Sequence, residues 1–207
     1  MTVRGAWVAA VAILAVATGA PPARAAEADF TICASCHGMG GVSYNFETPS
    51  LAGQQSFYAI TQLLLFRTGR RTSEAMAEVT KPMSDADLRA YSELIGRLPA
   101  APPAPGVAAD PARMKHGAVL AEQYRCTTCH GADLAGAMQV PRLAGQREDY
   151  LARALAEFRS GARVGYTPAM NETLAGLGAA ELGDLAHYMA HVSTLTGVAP
   201  AASAASR

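Results

Sequence analysis

The sequence predicts an all-α fold made of two tandem halves, and two observations support that prediction. First, apolar residues recur at three- and four-residue spacing over residues 57–66 and 150–158, and no run alternates long enough to indicate a strand. Second, the sequence repeats itself, since PSLAGQ at 49–54 returns as PRLAGQ at 141–146. The chain is therefore predicted to be one helical unit that is present twice.

The chain begins with a predicted signal peptide, residues 1–25. Arg4 supplies a positive charge, residues 6–17 are apolar but too short for a typical membrane span, and Ala23-Arg24-Ala25 is an A-x-A cleavage site. An uncleaved membrane anchor is the alternative. We therefore expect an exported protein.

Composition also limits the rest of the chain. Lys plus Arg and Asp plus Glu are both 17, which argues against a nucleic-acid-binding protein. Hydrophobic residues make up 50% of the chain, which argues against extensive disorder. We predict four regions after the signal peptide: a first domain at 26–98, a Pro/Ala linker at 99–109, a second domain at 110–196 and a disordered tail at 197–207.

Additional helices are predicted on either side of the repeated blocks. Ser84 is a suitable N-cap for the last helix of the first half, whose counterpart spans residues 179–192. A helix at 111–124 starts with a proline and precedes the second cysteine pair. The first half has only residues 26–32 for an equivalent helix, so we expect the cofactor of that half to be more exposed.

All four cysteines belong to two C-x-x-C-H motifs, which signal covalent attachment of c-type haem. Two thiols at this spacing reach the two vinyl groups of one haem, and the histidine that follows ligates the iron. A thioredoxin-like pair would need a βαβ pattern, and a four-cysteine zinc site would leave both histidines unexplained. We predict two covalently bound haem c groups, attached to Cys33, Cys36, Cys126 and Cys129, with His37 and His130 as iron ligands.

Each iron also needs a second axial ligand, and methionine is typical of electron-transfer cytochromes c. Aligning the halves pairs Met76 with Met170, in what we predict to be a loop before the last helix. The same alignment pairs Met83 with Leu177, so Met83 is predicted to be a core residue. Because Pro82-Met83 resembles Pro168-Ala169-Met170, Met83 stays a second candidate for the first iron.

Together these features resemble the dihaem cytochrome c4 family, which consists of tandem class I cytochromes c. The resemblance covers residues 29–195 and rests on the paired motifs, the P-x-L-A-G-Q blocks, the Tyr and F-R-x-G-x-R segments that follow and the later methionines. It implies a periplasmic carrier, free or loosely membrane-bound, that relays single electrons through two His/Met-ligated haems toward a terminal oxidase or reductase. We expect a monomer that meets redox protein partners.

The resemblance also implies roles for residues around the irons. The carbonyls of Pro49 and Pro141 are expected to accept the second ring N–H of each ligating histidine, which would fix its tautomer. A further set of repeated residues binds the haem propionates, lies between the halves, or is solvated or part of the core: Tyr58, Tyr150, Arg67, Arg71, Arg159 and Arg163.

Two other functions stay open at this point. A peroxidase-like or sulfur-oxidising haem enzyme would need an open or displaceable axial site or a cysteine ligand, and no cysteine is spare. A permanent cytochrome subunit of a periplasmic dehydrogenase would have the same chemistry, and a large exposed apolar patch would favour it. His187 and His191 are four residues apart, but without an evident third ligand we expect a solvated helix end there rather than a metal site.

Overall fold

The computed structural model describes residues 29–100 and 108–192, except residues 164 and 166. The predicted signal peptide (1–25), residues 101–107 of the predicted linker and the predicted tail (197–207) lie outside the described residues. Within the described part of the chain the elements are helices, with one isolated antiparallel bridge between Ala137 and Val140. None of these helices is long and apolar enough to cross a bilayer.

In the first half, the described residues 29–100 form four α-helices and one short 3₁₀ turn, Met39–Gly41. The α-helices are α1 (Thr31–His37), α2 (Ser56–Arg67), α3 (Glu74–Thr80) and α4 (Asp85–Gly96). The last helix starts with a capping box, in which Ser84 accepts the N–H of Asp87 and Asp87 accepts the N–H of Ser84.

In the second half, the described part of the chain contains the counterparts of these helices and one more before them. They are α5 (Pro111–Gln123), α6 (Cys126–His130), α7 (Glu148–Ser160), α8 (Ala169–Leu174) and α9 (Ala179–His191). Asp110 caps the additional helix by accepting the N–H groups of Ala112 and Arg113. The all-α prediction is confirmed, and the helices predicted at 57–66, 111–124, 150–158 and 179–192 are present with bounds within two residues.

One local prediction is wrong: Met76 and Met170 lie on short helices, α3 and α8, and not in loops. The oxygen of Ser73 caps α3 and Glu74 lies in its first turn, which favours a helix there. Helices of seven and six residues are too short to display an apolar period, so the sequence does not reveal them.

The second half is built on the crossing of α5 and α9. Gly117 lies at the contact, where any side chain would collide with the Asp184 carbonyl and with Tyr188. Beneath the crossing, Leu185 and Ala186 are completely buried. In the first half, the described residues begin at Asp29, which leads directly into α1, so α4 packs mainly against α2.

Candidate haem sites

The first attachment motif lies on α1, which ends at His37. The imidazole is 7% exposed, and its Nδ1 lies 2.7 Å from the carbonyl oxygen of Pro49. Gly38 follows with a φ of 78°, and a Cβ at this position would overlap the carbonyl oxygen of Val42. Because only glycine fits this turn, the chain can leave the helix directly after the histidine.

The second attachment motif repeats this arrangement on α6. His130 is 6% exposed, and its Nδ1 lies 2.9 Å from the carbonyl oxygen of Pro141. Arg125 has a φ of 53°, an uncommon conformation for a residue with a side chain, and it turns the chain from α5 into the motif. Cys126 begins the new helix directly after that turn.

These hydrogen bonds define which nitrogen of each histidine is available to a metal. A carbonyl only accepts, so Nδ1 carries the proton and Nε2 keeps its lone pair. Burial lowers the pKa of His37 and His130, and the bonds to the Pro carbonyls only partly offset this effect. Both rings are therefore neutral near pH 7, which is the form that ligates metals.

A largely apolar cavity of about 490 Å³ joins the two motifs. The predicted attachment and ligand side chains all line it: Cys33, Cys36, His37, Met76, Cys126, Cys129, His130 and Met170. Its size falls within the range of cofactor sites, and its combination of imidazole, thioether and thiol groups matches the donors that bind c-type haem. The residues therefore fit the predicted cofactor.

Two equivalent hydrogen bonds support the pairing of Met76 with Met170. Arg67 donates to the carbonyl of Met83 at 2.9 Å, and the repeat-equivalent Arg159 donates to the carbonyl of Leu177 at 3.1 Å. Met83 and Leu177 thus occupy the same place in the two halves. A leucine side chain has no atom that can ligate iron, so this place does not supply the ligand in the second half. Met83 also lines the cavity, but it packs in a buried cluster with Leu63 and Leu88.

Two arginines reach across the boundary between the halves inside the cavity. Arg163 donates to the Tyr58 hydroxyl at 2.9 Å, and the equivalent Arg71 donates to the Tyr150 hydroxyl at 3.0 Å. Burial alone would raise the pKa of Tyr150, but the two guanidinium groups outweigh it and lower that pKa to about 7. Arg163 is only 5% exposed, and the side chains to which it donates are Tyr58, Tyr150 and Gln62, none of which is a carboxylate. Buried cations beside an apolar cavity fit a cofactor that carries carboxylates, as the haem propionates do.

Sequence reasoning missed the role of two further residues, Gln54 and Gln146, which belong to the repeated P-x-L-A-G-Q blocks. Each side chain hydrogen-bonds the backbone of the opposite half, at Arg142 and Ser50 respectively. The repetition of this glutamine was the available signal, although it does not reveal the direction in which the side chain points.

The expectation of a solvated helix end at His187 is wrong, because this side chain is 2% exposed. Its Nε2 accepts the N–H of Asp110 at 2.9 Å, and its Nδ1 lies 2.9 Å from a carboxylate oxygen of Glu148. Glu148, His187 and His191 lie close enough together for a metal site. However, both ring nitrogens of His187 are engaged, and the Arg113 guanidinium lies 2.9 Å from Glu148. This cluster therefore joins α5, α7 and α9.

Comparisons with known proteins agree with this geometry. The family model described as Cytochrome c matches residues 114–193. Cytochrome c4 of Stutzerimonas stutzeri is 31% identical over 201 residues, which cover 86% of this chain and 92% of that protein. A thiosulfate dehydrogenase electron acceptor of Thiomonas intermedia is 31% identical over 186 residues, covering 81% of this chain and 82% of that protein.

A solved structure with two domains is also similar to this chain. The crystal structure of reduced recombinant cytochrome c4 from Pseudomonas stutzeri aligns with a TM-score of 0.71 at 28% identity. The alignment covers 79% of this chain and 95% of that one. The likeness therefore extends over both halves and is not limited to the second.

Proposed function

This chain belongs to the cytochrome c4 family of dihaem electron-transfer cytochromes, and we propose that it relays single electrons between redox proteins of the periplasm. It carries two covalently bound haem c groups, for which the proposed attachment residues are the four cysteines. The proposed axial ligands are His37 with Met76 and His130 with Met170. Haem iron supplies one-electron redox chemistry when bound, and its ligands set the potential.

One observation supports this proposal above the others: each half presents a buried imidazole and a methionine of the repeat-related pair, Met76 or Met170, to the same cavity. The Pro49 and Pro141 carbonyls orient the imidazoles, which would hold the two haem irons together with the methionine thioethers. An iron with both axial positions filled has no place for a substrate. The chain is therefore proposed to exchange electrons and not to be an enzyme.

The experiment that tests the proposal is a redox titration of the holoprotein combined with carbon monoxide binding. We expect two electrons per chain and no binding of carbon monoxide to the reduced protein, because both methionines occupy the sixth positions. A Met170→Ala variant is the positive control, since it opens one site per chain. Binding of carbon monoxide by the unmodified protein would overturn His/Met ligation at one iron and favour an enzyme.

A second candidate function is a cytochrome subunit that stays bound to a dehydrogenase, and an exposed loop favours it. Residues 38–46 carry no charged side chain, and Met39, Tyr44 and Phe46 are between 68% and 79% exposed. Exposed apolar groups are typical of contact surfaces. The similarity to a protein named as an electron acceptor of thiosulfate dehydrogenase agrees with a dehydrogenase as the partner.

Purification from the native host separates the two candidates. A free carrier elutes as a monomer, whereas a bound subunit elutes with a larger protein even at high salt. For a bound subunit, a Tyr44→Ser and Phe46→Ser double variant should release the cytochrome, while the control Val119→Ser on the other half should not. A monomer in both variants and in the unmodified protein would exclude the bound form.

A further inference from the structure

Gln54 and Gln146 make matching hydrogen bonds from each half to the other. Gln146 accepts the N–H of Ser50 at 2.7 Å and donates to the Ser50 carbonyl at 2.8 Å. Gln54 makes the same two bonds to Arg142, at 2.8 and 3.2 Å. Each side-chain amide therefore pairs with both backbone groups, the N–H and the C=O, of one residue of the opposite half.

The residue that each glutamine binds directly follows the proline that supports an axial histidine. Ser50 directly follows Pro49, whose carbonyl accepts from His37. Arg142 directly follows Pro141, whose carbonyl accepts from His130. Each histidine is thus supported by a backbone segment that a side chain of the other half holds in place.

The repeat itself agrees with a role that depends on the backbone. Pro and Gln are identical in both blocks, whereas the residue between the Pro and the Leu differs, being Ser50 in one and Arg142 in the other. A glutamine that binds only the N–H and C=O groups tolerates either side chain. An identical Gln facing a variable residue is therefore expected if both halves keep the pairing between the Gln side chain and the backbone.

The surroundings shield these bonds from solvent. Gln54 and Gln146 are each 7% exposed. The gap that their blocks enclose has a volume of about 10 Å³, at the lower limit for one water molecule. Hydrogen bonds in such an environment are stronger than those open to water, so the peptides are held firmly.

We propose that Gln54 and Gln146 are positioning residues that act on the opposite haem site. Each fixes the proline segment that sets the orientation and hydrogen bond of the other half's histidine, and this couples the two sites. A firm N–H···O=C bond makes the imidazole a stronger donor to iron and stabilises the ferric state. Removing a glutamine therefore raises the potential of the haem in the opposite half.

The inference rests on the proposed ligation by His37 and His130, and it is tested with Gln146→Ala and Gln54→Ala in the full-length holoprotein. We expect Gln146→Ala to shift the paramagnetic NMR signals of His37 and to raise the potential of the first haem. It should also accelerate amide exchange at Ser50 roughly tenfold, as expected when a buried hydrogen bond is lost. Gln54→Ala should do the same to His130, the second haem and Arg142.

A matched control is Gln55→Ala. Gln55 also donates across the boundary between the halves, to the Ala135 carbonyl at 3.2 Å, but it does not bind a peptide next to either proline. This variant should leave both histidine signals in place.

A shift in the same half, an equal shift in both halves or no shift would overturn the inference. Absence of iron-shifted histidine signals from the unmodified protein would instead refute the proposed ligation. The two failures are therefore distinguishable.

Discussion

The two halves repeat the same haem-binding design but are stabilised in different ways. In the second half, thirteen buried residues form one cluster, and α5 packs across α9 above it. In the described residues of the first half, the corresponding cluster of buried side chains is Leu63, Met83 and Leu88, and no helix precedes α1. The second half therefore has the larger core of its own.

The first half gains part of its order from the second. Arg147 donates to the carbonyl of Ser43 at 3.2 Å, and Arg153 donates to the carbonyl of Glu47 at 2.9 Å. Asp149 accepts the N–H of Glu47 at 2.9 Å. Asp149 and Arg153 lie on α7, and Arg147 directly precedes that helix. The comparison shows that, in a duplicated protein, hydrogen bonds from one domain can order the other domain where that domain has fewer helices of its own.

The largest expected effect comes from Gly117→Ala at the crossing of α5 and α9. The added methyl group collides with the Asp184 carbonyl and with Tyr188, so we expect a loss of about 1–3 kcal/mol in the free energy of unfolding of the second half. Denaturant titration followed by amide exchange measures the loss for each half. Gly176→Ala is the control, because an added Cβ there meets no atom within 4 Å. Equal losses in both variants would contradict a special role for the crossing.

A smaller effect is expected from Arg153→Ala, which removes a bond between the halves. Arg153 lies on α7, yet its loss should accelerate amide exchange in residues 43–48 of the first half. The side chain is 35% exposed, so the expected cost is about 1 kcal/mol, or roughly fivefold in exchange. Arg89→Ala, an exposed arginine of the first half, is the charge-matched control. Faster exchange confined to α7 would show that the first half does not depend on this contact.

The smallest expected effect is a pH dependence at Asp149. Burial raises the pKa of this carboxyl, but Arg147 and the N–H of Glu47 outweigh it, so the net shift is downward. A carboxyl whose pKa is lowered by folding stabilises the folded protein at any pH above the unfolded-state pKa of about 4. This stabilisation is lost as the pH falls through the pKa of the folded state. Acid should therefore loosen the 43–48 segment, and Asp149→Asn should flatten that dependence in an exchange experiment from pH 5 to 2.5. Glu122→Gln, on an exposed part of α5, should leave the slope unchanged.

The features that the sequence reveals are those fixed by local spacing. The C-x-x-C-H motifs are visible because haem attachment demands that spacing, and the long helices are visible because burial imposes a period of 3.6. By contrast, the burial of His187 depends on Asp110 and Glu148, which lie 77 and 39 residues away. Likewise, Gln54 and Gln146 are recognisable as repeats, but only the docked halves show that each one binds the other half. Contacts between distant segments leave no periodic pattern in the sequence, so they become visible only in the folded structure.

The most direct test of two His/Met haem sites is the far-red charge-transfer band of ferric haem with a methionine ligand. It is measured on protein matured in a periplasm and scaled to the haem content of the same sample. We predict two haems per chain and a full-strength band for each. A half-strength band would contradict the account, because one iron would then lack its methionine.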